Sequence, residues 1–142
     1  MGVECKNYPH SYKRQVFLYE TDAFGHLNNV FYFHYLESAR FELLKEMELF
    51  DPKNILSLNY ILVHAECDYR QISRYDDILI IHSRVSEIKS SSFALEHLIT
   101  NEKTGDLVAT ARMIIVAFNH KKQKSEPLTP KVKKILETYL GK

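Results

Sequence analysis

Hydrophobic and polar residues change their period several times along this chain, and each change predicts an element. Residues 12–19 alternate, with Tyr12, Arg14, Val16 and Leu18 on one side and Lys13, Gln15, Phe17 and Tyr19 on the other, which is the period of a strand. From about 29 to 49 the spacing becomes helical. Its first part, Val30, Phe31, Tyr32, Phe33, Tyr35 and Leu36, is apolar or aromatic nearly all round, which predicts a buried helix whose N-terminal half lies deepest. Beyond Glu37 the helix turns amphipathic, with Phe41, Leu44 and Met47 opposing Glu42, Lys45 and Glu46. Asp51-Pro52 ends it, and residues 53–59 read as a connecting loop. Four period-two runs follow, at 60–69, 77–88, 91–101 and 107–119. In the first of these, Ile61, Val63, Ala65, Cys67 and Tyr69 share one face, and His64, Glu66, Asp68 and Arg70 share the other.

The links between these runs are short. Lys89-Ser90 suits a tight hairpin, and Lys103-Thr104-Gly105-Asp106 suits another, with glycine available for a left-handed position. Consecutive strands are therefore expected to lie side by side, antiparallel. Thr129-Pro130 supplies a cap and a proline at the first helical position, so a short last helix is expected over about 130–140, with Val132, Ile135, Leu136 and Tyr139 as its apolar stripe. A helix apolar on all sides needs a sheet wrapped around it. The expectation is an α+β fold, a curved antiparallel sheet around a long central helix, in one domain spanning 1–142.

Composition narrows the partners. At 45% hydrophobic and 12% aromatic residues the chain should fold, and 19 basic against 18 acidic residues leave a net charge of +1, with no basic stripe to attract nucleic acid. Cys5 and Cys67 do not form a disulfide framework, which points to a reducing cytoplasm. The first ten residues carry no secretory pattern, and Lys6 stands where a myristoylation signal starting at Gly2 wants Ser or Thr. No apolar run approaches the ~18 residues of a spanning helix, so membrane insertion is not expected. The seven histidines lack ligand spacing and are expected to face solvent or a neighbouring subunit, so no metal is expected, and no cofactor. A Gly-x-Ser-x-Gly nucleophile elbow is absent.

Chemistry concentrates at residues 19–40, YETDAFGHLNNVFYFHYLESAR. Apart from Gly2, Gly25 is the only glycine before Gly105, and it separates the carboxylate of Asp22 from the start of the long helix. Asn28 is a good N-cap with Asn29 the next residue in, so the first free amides of the helix open beside Asp22. A helix N-terminus favours developing negative charge. Asp, Gly, His and Asn equally make ordinary turns and caps, so the same residues also suit geometry alone.

The run Asp22-Ala23-Phe24-Gly25-His26-Leu27-Asn28-Asn29, followed by Tyr32, Tyr35, Glu37 and Arg40, resembles the signature of hotdog-fold acyl-CoA thioesterases of the 4-hydroxybenzoyl-CoA thioesterase type. The resemblance extends more loosely over about the first 120 residues. It implies a sheet wrapped around the helix, an acyl-CoA substrate, and active sites at the interface of a homodimer or homotetramer. Carried onto this chain, it implies Asp22 as the catalytic carboxylate and the Asn29 amide as the donor that polarises the thioester carbonyl. Asp22 then either attacks the carbonyl or acts as general base on water. The bacterial branch with a Tyr-His pair carries histidine where Asn29 stands here, so that side-chain role does not transfer. His26 either assists catalysis, orients substrate or orders the loop.

Asn28 and Tyr32 are candidate substrate contacts, with Phe31, Tyr35 and Tyr69 as further aromatics that set pocket depth. Lys89, Ser90 and Ser91 either touch the phosphates or pantetheine of coenzyme A or make a polar turn. An acyl-carrier-protein thioesterase and a non-catalytic acyl-CoA-binding module are the rival functions. An open curved sheet leaves edges to cover, and the apolar run 113–118 is expected to be one, which predicts at least a dimer. If Gly25 lets the thioester approach Asp22 and Asn29, Gly25→Ala should cost turnover ~100-fold.

Overall fold

The computed structural model describes residues 4–141; Gly2, weighed above as an acylation position, lies outside the described residues. The chain runs β1 (His10–Gln15), a 3-10 turn (Leu18–Glu20), α1 (Asn29–Glu46), a second 3-10 turn (Ile55–Ser57), β2 (Tyr60–Tyr69), β3 (Ile78–Ile88), β4 (Ser92–Asn101), β5 (Leu107–Asn119), a two-residue β6 (Lys124–Ser125) and α2 (Pro130–Glu137). The antiparallel sheet has the order β1-β3-β4-β5-β2, with β6 added to β5. It curls around α1 in the hotdog arrangement. The fold is therefore as expected, but its details correct several expectations.

The first strand stops at Gln15, short of the expected Tyr19, and a 3-10 turn lies between it and Asp22. Val16 is fully buried while Phe17, Leu18 and Tyr19 are exposed, so the alternation of 12–19 does not continue across one sheet face. Consecutive strands are neighbours from β3 through β6, but not before β3. β2 crosses over to pair with β5, and β1 takes the place beside β3. Consequently 113–118 lies in the sheet interior between β4 and β2, and the edges of the sheet belong to β1 and β2, with Leu62, Val63 and Tyr69 of β2 exposed. A register shift between Leu62 and His64 also divides the predicted apolar face: Ile61 sits opposite Val116, whereas Ala65 and Cys67 sit opposite Met113 and Ala111.

α1 begins where expected and ends at Glu46. Its buried residues, Tyr32, Tyr35, Leu36, Ala39, Arg40, Leu43 and Leu44, recur at three and four positions and form one stripe against the sheet. The helix is not buried all round, because Val30 is 56% and Phe33 38% exposed, and its C-terminal half lies as deep as its first half. Facing the stripe are Leu79, Ile81 and Val85 of β3, Leu95 and Ile99 of β4, and Ala109, Met113 and Ile115 of β5. His97, expected to face solvent or a subunit, is 1% exposed in this core, because its place on β4 puts it on the same face as Leu95 and Ile99. Thr129 caps α2, its hydroxyl accepting from the Val132 N–H at 3.2 Å. No helix among the described residues is long and apolar enough to cross a membrane.

Candidate active site

The segment between β1 and α1 is a tight excursion held from several sides. The Val16 N–H donates to the Asp77 carbonyl at 2.8 Å, after which the 3-10 turn reverses the chain. Glu20 then turns inward. Its Oε1 accepts from the Phe17 N–H at 2.8 Å and the Tyr35 hydroxyl at 2.6 Å, and its Oε2 pairs with the Arg14 guanidinium. The Glu20 carbonyl accepts from the Asn28 N–H at 2.9 Å, which joins this turn to the helix cap.

Between those two residues, Thr21 pairs with Leu27 and the Asp22 N–H donates to the His26 carbonyl at 2.8 Å. The Gly25 N–H closes the turn onto the Asp22 carbonyl at 3.0 Å with φ at +78°, a left-handed value that glycine adopts without strain. A Cβ there would meet no atom within 4 Å, so the backbone angle, and not space, calls for glycine. The Leu27 N–H donates to the Ser73 carbonyl at 2.7 Å and His26 bridges to Arg74, which fastens the loop to the β2–β3 connection.

This geometry aims the Asp22 carboxylate. Oδ1 accepts from the Phe24 N–H at 2.9 Å and the His26 N–H at 3.1 Å, while Oδ2 has no partner among the described residues. Asn28 caps α1, its Oδ1 accepting from the Val30 N–H at 3.1 Å. No bond to the Asn29 N–H occurs among the described residues, so the first amide of the helix is an open donor at the positive end of the helix dipole. The Tyr69 hydroxyl donates to the Asn29 carbonyl at 3.2 Å, and the Tyr32 and Tyr69 rings meet at 5.0 Å.

Asp22, His26, Asn29 and Tyr32 line one cavity of about 490 Å³ together with Tyr69 and Arg70. A second hollow of about 290 Å³ shares Asn29 and Tyr69 and is walled by Val30, Phe33, His34 and Glu37. Gly25 shapes the turn and Asn28 caps the helix, but neither lines these cavities. Tyr35, a candidate for pocket depth, points to Glu20 beneath the loop instead. Lys89, Ser90 and Ser91 lie at the β3–β4 hairpin, whereas the Ile78 end of β3 adjoins the site, so an 11-residue strand, roughly 30 Å, separates them within one chain. The Ser90 and Ser91 carbonyls there accept from the Leu128 and Ala117 N–H groups.

Burial, and then Asp68, pushes the Cys67 thiol up to about 11, which removes it as a thiolate nucleophile near neutral pH. Burial likewise raises the Tyr32 phenol. Among the described residues no three His, Cys, Asp or Glu side chains gather as metal ligands. Sequence reasoning passed over Glu20 and its partner Arg14, as well as Arg70 at the cavity. Nothing local marks them, since Arg14 and Tyr35 reach Glu20 from six residues before and fifteen after.

A family described as the thioesterase-like superfamily matches residues 16–136. The long-chain acyl-CoA thioesterase FadM of Escherichia coli is 29% identical over 119 residues, covering 84% of this chain and 90% of that protein. Among solved structures, a thioesterase from Thermus thermophilus complexed with coenzyme A and zinc superposes with a TM-score of 0.80 at 21% identity, covering 94% of this chain and 96% of that one. A 1,4-dihydroxy-2-naphthoyl-CoA thioesterase from Synechocystis superposes at 0.79 with 23% identity, covering 89% and 93%.

Proposed function

The chain belongs to the thioesterase-like superfamily and is a thioester hydrolase; we propose that its substrate is an acyl-CoA, cleaved to the free acid and coenzyme A. The observation that carries this reading is the pairing at one cavity of Asp22, whose Oδ2 has no partner among the described residues, with the open N–H of Asn29. In the proposed reaction the thioester carbonyl sits between them. Charge that develops on its oxygen meets the Asn29 amide and the helix dipole, and one such donor is worth ~2.7–4 kcal/mol of barrier. Asp22 Oδ2 attacks the carbonyl carbon or takes a proton from the attacking water. In the first route the C–S bond breaks to leave an acyl–Asp22 anhydride that water then hydrolyses; in the second, water adds directly. In either, the sulfur of coenzyme A leaves and takes up a proton. His26 orders the loop through its main chain and faces the same cavity, where it orients substrate.

The reading includes a homodimer, or a pair of dimers, in a reducing cytoplasm. The exposed β2 edge and the exposed Val30 and Phe33 border the same cavities, so a second copy seated there would both cover apolar surface and wall the site. Lys89, Ser90 and Ser91 remain candidate contacts for coenzyme A only from a second subunit. Sedimentation equilibrium at micromolar concentration should find at least a dimer, and a stable, active monomer would remove this part.

A thiol-release assay over aryl, short-chain and long-chain acyl-CoAs, with an acyl-carrier-protein thioester alongside, tests the reaction itself. Release from one acyl-CoA class is expected. Release only from the carrier-protein thioester would change the substrate, and binding without release from any would make the protein an acyl-CoA-binding module.

A further inference from the structure

Glu20 stands two residues before Asp22, is 1% exposed, and has contacts that reach both flanking elements. Arg14 of β1 pairs with Oε2, and Tyr35, from the second turn of α1, donates to Oε1 at 2.6 Å. Arg14 is itself held, its guanidinium lying 4.9 Å from the Phe17 ring centre and 4.7 Å from that of Tyr35. A buried ion pair is no requirement for a stable core, since apolar residues of like volume often serve as well. What charge-assisted hydrogen bonds add is fixed geometry.

We propose that Glu20, clamped by Tyr35 and Arg14, is a positioning residue for hydrolysis, setting the separation between Asp22 Oδ2 and the Asn29 N–H. This rests on the reading of Asp22 and Asn29 given above. Both groups hang from Glu20 by short connections. Asp22 is two residues further along the chain, and Asn28, which precedes Asn29, donates its N–H to the Glu20 carbonyl at 2.9 Å. Neither Glu20 nor Tyr35 lines the cavities, so their effect on the reaction runs through placement. Burial, and then the hydrogen bond to Glu20, holds the Tyr35 phenol far above its ordinary range, so it stays a donor at every working pH.

Tyr35→Phe removes one hydrogen bond and keeps the ring. With the best acyl-CoA of the panel, kcat should fall roughly tenfold or more while KM stays within about twofold, because misplacement of reacting groups weakens the transition state more than ground-state binding. The melting temperature should drop little. Glu20→Gln, which still accepts from Tyr35 and Phe17, should retain more kcat than Glu20→Ala. Near-parental kcat in folded Tyr35→Phe overturns the proposal, as does a raised KM with kcat intact. Loss of folding in Tyr35→Phe would make the bond structural and also overturn it. If the Glu20 variants do not fold, Tyr35→Phe decides alone. Asp22→Asn run in parallel separates the two readings: full activity there removes the catalytic assignment itself, whereas an inactive Asp22→Asn beside a fully active Tyr35→Phe removes only the positioning role.

Discussion

The two ends of α1 are built from the same helix and treated in opposite ways. At the C-terminal end the Leu43, Leu44 and Lys45 carbonyls all accept hydrogen bonds. The Met47 N–H donates to the Leu43 carbonyl at 3.0 Å and the Leu49 N–H to the Leu44 carbonyl at 2.8 Å, with Glu48 at φ +62° reversing the chain. Leu43, Leu44 and Met47 are buried, and the Tyr139 hydroxyl beyond α2 donates to Glu46 at 2.7 Å. At the N-terminal end the Asn29 N–H has no acceptor among the described residues, and the surrounding walls are exposed aromatics and a cavity. An end left open for a ligand gives up apolar packing. Directed hydrogen bonds, those of Glu20, Asp22 and Asn28, hold it instead.

Substitutions at the open end should therefore move rate more than stability, and those at the closed end the reverse. The largest effect is expected for Asp22→Asn, which should lower kcat by ~10²–10⁴-fold, the range for a positioned acid or base. Its melting temperature, followed by circular dichroism, should stay close to the parent's. Hydrolysis within a few-fold of the parental rate would erase the contrast.

Leu43→Ala is the mirror experiment. Fully buried at the closed end, Leu43 should cost ~2–5 kcal/mol of stability on truncation, measured by denaturant unfolding, with kcat per folded molecule unchanged. A large loss of turnover in the folded fraction would show that the two ends are coupled.

His97 sharpens the contrast through pH. Burial, then Arg40 and His10, holds it down to about 3, whereas unfolded it titrates near 6.5. The unfolded chain thus binds a proton that the folded chain excludes. Stability present above about pH 6.5 should be lost as pH falls towards 3, by roughly 1.4 kcal/mol per unit for one proton, with His10 and His82, also lowered by burial, adding to the slope. Melting temperatures taken between about pH 7 and 4 should show this slope, flattened in His97→Gln. An unchanged slope in that variant would assign the acid sensitivity elsewhere.

Gly25→Ala should have the smallest effect. At φ +78° an alanine is strained by about 1 kcal/mol, and relaxing that angle draws the Phe24 and His26 N–H groups away from Asp22. Because Gly25 lines neither cavity, a blocked thioester is not the route, and a loss nearer tenfold than the ~100-fold of a blocked site is expected. Near-parental turnover with a lowered melting temperature would make Gly25 an ordinary turn residue.

Much of this arrangement is written in neighbouring residues. The period changes place β2, β3, β4 and β5 within a residue of their observed starts, Asn28 and Thr129 cap the helices as read, and the Asp22–Asn29 spacing brings carboxylate and helix amide to one cavity. These are short-range matters, set by steric preference and by hydrogen bonds between residues a few positions apart. Partner choice is different. That β2 leaves β3 for the outer side of β5, that its face switches at Leu62, that Glu20 finds Arg14 and Tyr35, that His97 turns inward, and that Lys89 stands a strand's length from Asp22 all depend on how the whole sheet curls over the buried stripe of α1. Burial is summed over residues distant in sequence, and the same alternating pattern satisfies several pairings equally until that sum selects one.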